Sequence, residues 1–310
     1  MTEISKILSR RFSLNPILLI ENILKNKFLY IISFLLPFCF VNSILYYSEA
    51  LGQTENSSQP NEEYWQIDFL NAWETVNGNH QYGLFINLSH GWKTYWKNPG
   101  DSGFTPEFQI SRSENLAKIE LIWPTPDIFL ENDSQIYGFK KKLVLPILIY
   151  PKLIDVPTHF ELKVNLGFCK DICIPKTFYF RSKTTQNTTN EQDSEILESL
   201  RKVPINLPSL KKYISCTIVK DGKKLTLVSK LDTEFFKEEK SVKDMIFQYK
   251  GSDIWFTDKV RKLGEKADIF KTTLNQINNQ SMLIDRSKIE LILLTKEGGF
   301  TFNGCINSMI

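Results

Sequence analysis

From Tyr64 to about Ser182 the chain is written in short apolar or alternating runs broken by turn residues, a pattern that admits β-sheet and little else. His80-Gln-Tyr-Gly-Leu-Phe-Ile-Asn-Leu88 follows the turn Val76-Asn77-Gly78-Asn79, and residues 117–123 and 159–166 alternate with period two. Successive strand side chains point to opposite faces, so such alternation describes a sheet with one buried face. Residues 143–150 are apolar almost throughout. Pro146 within them predicts an edge strand or a bulge, because proline donates nothing to a ladder. No long helical periodicity intervenes, and strands at this spacing predict a β-sandwich. An aromatic content of 13% suits filled cores and argues against disorder.

A second series of strands follows a break. Residues 184–193 are rich in Thr, Asn and Gln and read as a linker, and residues 194–202 as a short amphipathic helix stopped before Pro204. Residues 215–228 predict a hairpin turning near Asp221-Gly222. Residues 244–249, 252–256 and 287–294 are further strand candidates, with a Gly298-Gly299 turn before Phe300-Thr-Phe302. The expected organisation is an N-terminal signal or anchor (1–50), a flexible segment (51–63), a β-sandwich (64–182), a linker with a helix (183–204) and a second, smaller β-rich domain (205–310).

Residues 28–47 form the one long apolar run, uncharged and preceded by a basic segment. The length allows a membrane span. The flanks, ending in Ser48-Glu49-Ala50, resemble a signal peptide with a small-x-small cleavage site. Cleavage and retention as an anchor both place the body outside the cytoplasm. Residues 1–50 hold five Lys/Arg and three acids, which leaves 33 basic against 32 acidic residues in the body. That balance gives no support to nucleic-acid binding, which needs a clustered basic face.

Cys39 lies in the apolar run, and four cysteines remain: Cys169, Cys173, Cys216 and Cys305. An even count in an exported chain permits disulfides in any of three pairings. In Gly167-Phe-Cys-Lys-Asp-Ile-Cys-Ile-Pro175 a bridge would close a loop of only about five residues, contributing about 2 kcal/mol. Bridges in tight loops are also the more readily reduced ones. The pair therefore reads first as a working dithiol and second as a staple. Lys170 would favour a thiolate and Asp171 oppose it. A bridge between Cys216 and Cys305 would span about 90 residues and contribute about 4.6 kcal/mol. The alternative there is two small buried thiols.

His90-Gly-Trp-Lys-Thr-Tyr-Trp-Lys-Asn-Pro-Gly-Asp-Ser-Gly103 describes a strand end running into a shaped turn. Its aromatics are either a binding platform or core filling. With three histidines, no HExxH, no glycine-rich phosphate loop and no telling carboxylate pair, hydrolase and metalloenzyme readings have little support.

The 90–103 stretch, Trp123-Pro-Thr-Pro126, Tyr137-Gly-Phe139, Leu145-Pro146 and the cysteine segment occur in one order. Together they resemble the periplasmic N-terminal domain of the DsbD/ScsB thiol:disulfide interchange proteins, over about residues 64–182. The resemblance implies an immunoglobulin-like sandwich carrying one redox-active pair. It implies exchange of electrons between a membrane or thioredoxin-like donor and oxidised periplasmic proteins. By that analogy Cys173 forms the intermolecular bond and Cys169 resolves it, and an aromatic cap is to be sought among Trp92, Tyr95, Trp96, Phe104 and Tyr137. Family members continue into a multi-span membrane domain and often a thioredoxin-like domain with CxxC. Neither occurs before Ile310, so a separate protein is expected to reduce the pair unless the domain only binds.

The leading expectation is an all-β thiol–disulfide oxidoreductase module without bound cofactor or metal, touching a membrane only through residues 28–47. The second is a binding module with a structural bridge, its aromatic loop gripping a protein or glycan. The third is Cu(I) handling by the two thiolates, which few Met and no nearby His disfavour.

Overall fold

Ten strands build the first half of the computed structural model, which describes residues 64–131, 134–182, 190–222, 224–232, 234, 242–251, 254–276 and 284–305. The apolar run 28–47, the segment 51–63 and residues 183–189 of the expected linker lie outside the described residues. The strands are β1 (Trp65–Glu74), β2 (His80–Leu88), β3 (Lys93–Gly100), β4 (Glu107–Glu114), β5 (Leu116–Leu121), β6 (Asp127–Glu131), β7 (Ser134–Lys140), β8 (Lys142–Pro151), β9 (His159–Cys169) and β10 (Cys173–Arg181). One sheet has the order β1-β2-β8-β5 and the other β10-β9-β3-β7-β6, with β4 also paired to β9. The two close over residues such as Leu84, Ile86, Leu145 and Ile147, all fully buried. Each such side chain contributes about 1.5–3 kcal/mol of transfer free energy. On β9 every second residue, from Leu162 through Val164 and Leu166 to Phe168, faces this core, as alternation requires. The result is the immunoglobulin-like sandwich expected.

Pro146 corrects the expectation of an edge strand or bulge. β8 lies inside its sheet, between β2 and β5, with Pro146 opposite Gly83 in unbroken register. The Pro146 carbonyl accepts from the Ile122 N–H on the β5 side, so the missing donor also faces that side. β5 ends at Leu121, opposite Ile147, so the missing donor falls at the end of that pairing and leaves the β2 side intact.

Helix α1 (Asn190–Leu200) starts earlier than expected and stops short of Lys202, dissolving into i→i+3 turns ahead of Pro204. It lies on the first sandwich: Ile196 is fully buried against the face of β2, where Gly83 leaves room for it. Ser199 Oγ donates to the Val144 carbonyl at 2.5 Å.

Eight strands follow: β11 (Ile205–Asn206), β12 (Ile214–Asp221), β13 (Lys224–Asp232), β14 (Val242–Tyr249), β15 (Ile254–Lys262), β16 (Ala267–Gln276), β17 (Ile289–Thr295) and β18 (Gly299–Asn303). They form sheets β11-β18-β17-β14 and β12-β13-β16-β15 around a second core. In that core Cys216 and Cys305, both buried, are joined by a disulfide. β14 and β17 are buried on both faces. Met245, Phe247, Leu291 and Leu293 fill their own core, while Ile246, Ile292 and Leu294 pack into the core cluster of the first sandwich. That is why Leu-Ile-Leu-Leu at 291–294 in β17 reads as a continuous apolar run rather than an alternating one.

Candidate functional site

The cysteine pair closes the β9–β10 hairpin. Cys169 ends one strand, Cys173 begins the next, and the register sets them directly opposite each other across the turn Lys170-Asp171-Ile172. Their Cα atoms are 4.1 Å apart and a disulfide joins them. Alternation on β9 sends Phe168 into the main core and leaves Cys169 on the other face. The two sulfur-bearing residues differ sharply in access: Cys169 is 1% exposed, whereas Cys173 is exposed beside Ile172, itself 68% exposed.

What buries Cys169 is a small apolar cluster with Tyr95, Phe129 and Ile136, against which Phe104 packs. Tyr95 comes from β3, which pairs with β9 at Lys93↔Cys169 and Thr94↔Phe168. Its hydroxyl donates to Cys169 Sγ at 2.7 Å and lies 3.4 Å from Cys173 Sγ. Burial raises the Tyr95 phenol above its ordinary value, and the Glu131 carboxylate raises it further. It is therefore a protonated donor throughout the physiological range. Glu131 is itself ion-paired with Lys93, whose side chain is almost fully buried. Two glycines let the cover lie close. A Cβ at Gly167 would fall 2.6 Å from the Phe104 side chain, and one at Gly103 would fall 2.8 Å from the Tyr95 ring.

Of the five residues expected around the sulfurs, Tyr95 and Phe104 are there. The other three are elsewhere. Trp96 is fully buried in the main sandwich core. Trp92 sits edge-on to Trp65 at 5.5 Å, and Trp65 stacks on Phe168 at 4.3 Å, so Trp92 supports the residue before Cys169 without reaching the sulfur cluster. Tyr137 turns its hydroxyl to Asp244 of the second sandwich at 2.6 Å. The aromatic stretch is thus divided between core filling and the cover of Cys169. Phe129, Ile136, Lys93 and Glu131 were missed. The signal for the first two was a pair of short apolar runs, Asp-Ile-Phe-Leu-Glu and Gln-Ile-Tyr-Gly-Phe, separated by polar residues.

This arrangement presents one reachable sulfur, one shielded sulfur and a hydroxyl donor aimed at the shielded one. The profile of the family described as thiol:disulfide interchange protein DsbD, N-terminal, matches residues 59–183. Among solved structures, the N-terminal periplasmic domain of ScsB from Proteus mirabilis is similar with a TM-score of 0.57 at 18% identity. The alignment covers 80% of this chain and 96% of that one, a likeness of fold that takes in both sandwiches. No curated protein matches the chain significantly. Residues 59–183 are a domain of the DsbD N-terminal family, carried here ahead of a second β-sandwich.

Proposed function

We propose that the chain is a periplasmic thiol–disulfide interchange module that passes two electrons from a thioredoxin-like or membrane donor to oxidised periplasmic proteins. The observation that carries this reading is the unequal burial of the two bonded sulfurs. A donor thiolate attacks Cys173 Sγ, the S–S bond breaks, and Cys169 leaves as a thiolate. The Tyr95 hydroxyl, 2.7 Å from that sulfur, stabilises the negative charge as it forms. A second donor thiolate then attacks its own sulfur in the mixed disulfide and releases Cys173. The donor ends as a disulfide and the pair as a dithiol. In the onward direction Cys173 thiolate attacks a substrate disulfide and Cys169 resolves the mixed bond, so the electrons balance at each transfer.

Equilibrating the purified protein with glutathione or dithiothreitol redox buffers and trapping thiols tests the reading. A working pair interchanges near the periplasmic range, whereas a pair that stays oxidised below about −300 mV is a staple. Tyr95→Phe removes the donor while keeping the ring. The loss of a hydrogen bond to a charged sulfur is expected to slow reduction by about 10- to 100-fold. It also raises the Cys169 thiol pKa in the reduced protein, because the bond favours the charged form. The pH dependence of alkylation measures that shift. Equal rates and equal pH profiles in the two proteins would remove Tyr95 from the mechanism.

A further inference from the structure

A buried charged contact joins the second sandwich to the strand that covers Cys169. Asp244 on β14, its side chain 3% exposed, accepts from Tyr137 Oη at 2.6 Å and from Gln135 Nε2 at 2.8 Å. Lys259 on β15 is ion-paired to Asp244 and also donates to Tyr137 Oη. Gln135 and Tyr137 flank Ile136 on β7, and neighbouring strand side chains point to opposite faces. One face of this short segment is held by the second sandwich while the other shields the sulfur.

The local backbone is bent to make this contact. β14 carries a one-residue bulge between Val242 and Asp244, and β15 one between Thr257 and Val260, where Asp258 is left-handed at φ 52°. Bulges re-aim side chains, and a non-glycine residue held at positive φ is a strained one. Arg261 fastens the first bulge, donating to the carbonyls of Val242 and Lys243 at 3.1 and 2.9 Å while it pairs with Asp268. Two bulges, a strained residue and a guanidinium brace converge on one ion pair.

We propose that Asp244 and Lys259 are positioning residues for thiol exchange, by which the second sandwich holds β7 so that Ile136 keeps Cys169 out of reach. The inference rests on the interchange reading of the pair. It assigns the second sandwich the task of confining attack to Cys173.

The test uses Asp244→Asn, Lys259→Met and Tyr137→Phe, with two readouts. Deuterium uptake at residues 134–138 is expected to speed about 10-fold, as for loss of one hydrogen bond to a charged acceptor. After brief exposure to glutathione and acid quenching, peptide mapping should find the adduct on Cys173 alone in the parent protein and on both cysteines in the variants. A parent protein that forms no adduct defeats the interchange reading. A parent that reacts only at Cys173, with variants identical in adduct and uptake, defeats the positioning role. Should Asp244→Asn fail to fold, Tyr137→Phe, which loses only a hydroxyl, decides the matter.

Discussion

Cys169→Ser is expected to accumulate a mixed disulfide with an oxidised partner, while Cys173→Ser stops exchange altogether. The asymmetry follows from burial. Cys173 is exposed at the head of β10 and meets an incoming sulfur, whereas Cys169 is 1% exposed behind Tyr95, Phe129 and Ile136. Without Cys169 the bond formed by Cys173 has no internal thiol to break it. Well-oriented neighbouring groups reach effective concentrations of about 10⁵ M, so replacing one with millimolar external thiol slows release by up to about 10⁸-fold. Both variants lose the same short staple, worth about 2 kcal/mol, so their stabilities fall together and cannot account for opposite trapping behaviour. Mass mapping after incubation with glutathione disulfide, whose bonded half carries no second thiol, reads the outcome. Trapping by Cys173→Ser with inertness of Cys169→Ser would exchange the two roles. No trapping by either would make the bridge a fastener.

How far the sequence reaches is visible in β3. Lys93-Thr-Tyr-Trp is buried on consecutive residues, so period two cannot tell which aromatic faces the core. Tyr95 and Trp96 are neighbours with opposite fates, one on a sulfur and one in the main core, and only the pairing of β3 with β9 decides between them. The β9–β10 cysteines were legible because they are local, separated by a turn of three residues. The hairpin over 215–228 was legible for the same reason, although β13 runs on to Asp232. The Tyr137–Asp244 bond joins residues 107 apart in sequence, and its partner Lys259 is aimed by a bulge that no periodicity announces. Long-range polar contacts of this kind depend on register shifts, and a one-residue slip turns every side chain to the other face. The expected core use of Cys216 and Cys305 stood between a bridge and two thiols because loop entropy favours a bridge without supplying its geometry.

The bridge between Cys216 and Cys305 is expected to behave oppositely to the Cys169–Cys173 bridge, whose Cys173 is exposed. It closes a loop with a sequence separation of 89 and lies inside the second core, with both residues at 5% exposure or less. Under limiting dithiothreitol, Cys169 and Cys173 should be alkylated well before Cys216 and Cys305. An attacking thiolate can reach Cys173 from solvent, but it reaches the second bridge only when that sandwich opens. Removing the second bridge acts on stability. Cys216→Ala with Cys305→Ala avoids burying two hydroxyls without partners and should cost about 2–5 kcal/mol, the chain-entropy limit being about 4.6. For a folded body of this size each kcal/mol lowers Tm by about 2–4 °C, so a fall of roughly 5–20 °C is expected in a thermal scan. A change within 2 °C would mean that the long loop is already restrained in the unfolded chain, and the entropic account of this bridge would be wrong. Reduction of all four cysteines at one rate would contradict the division between a reachable bond and an enclosed one, because burial would then not govern which sulfur reacts.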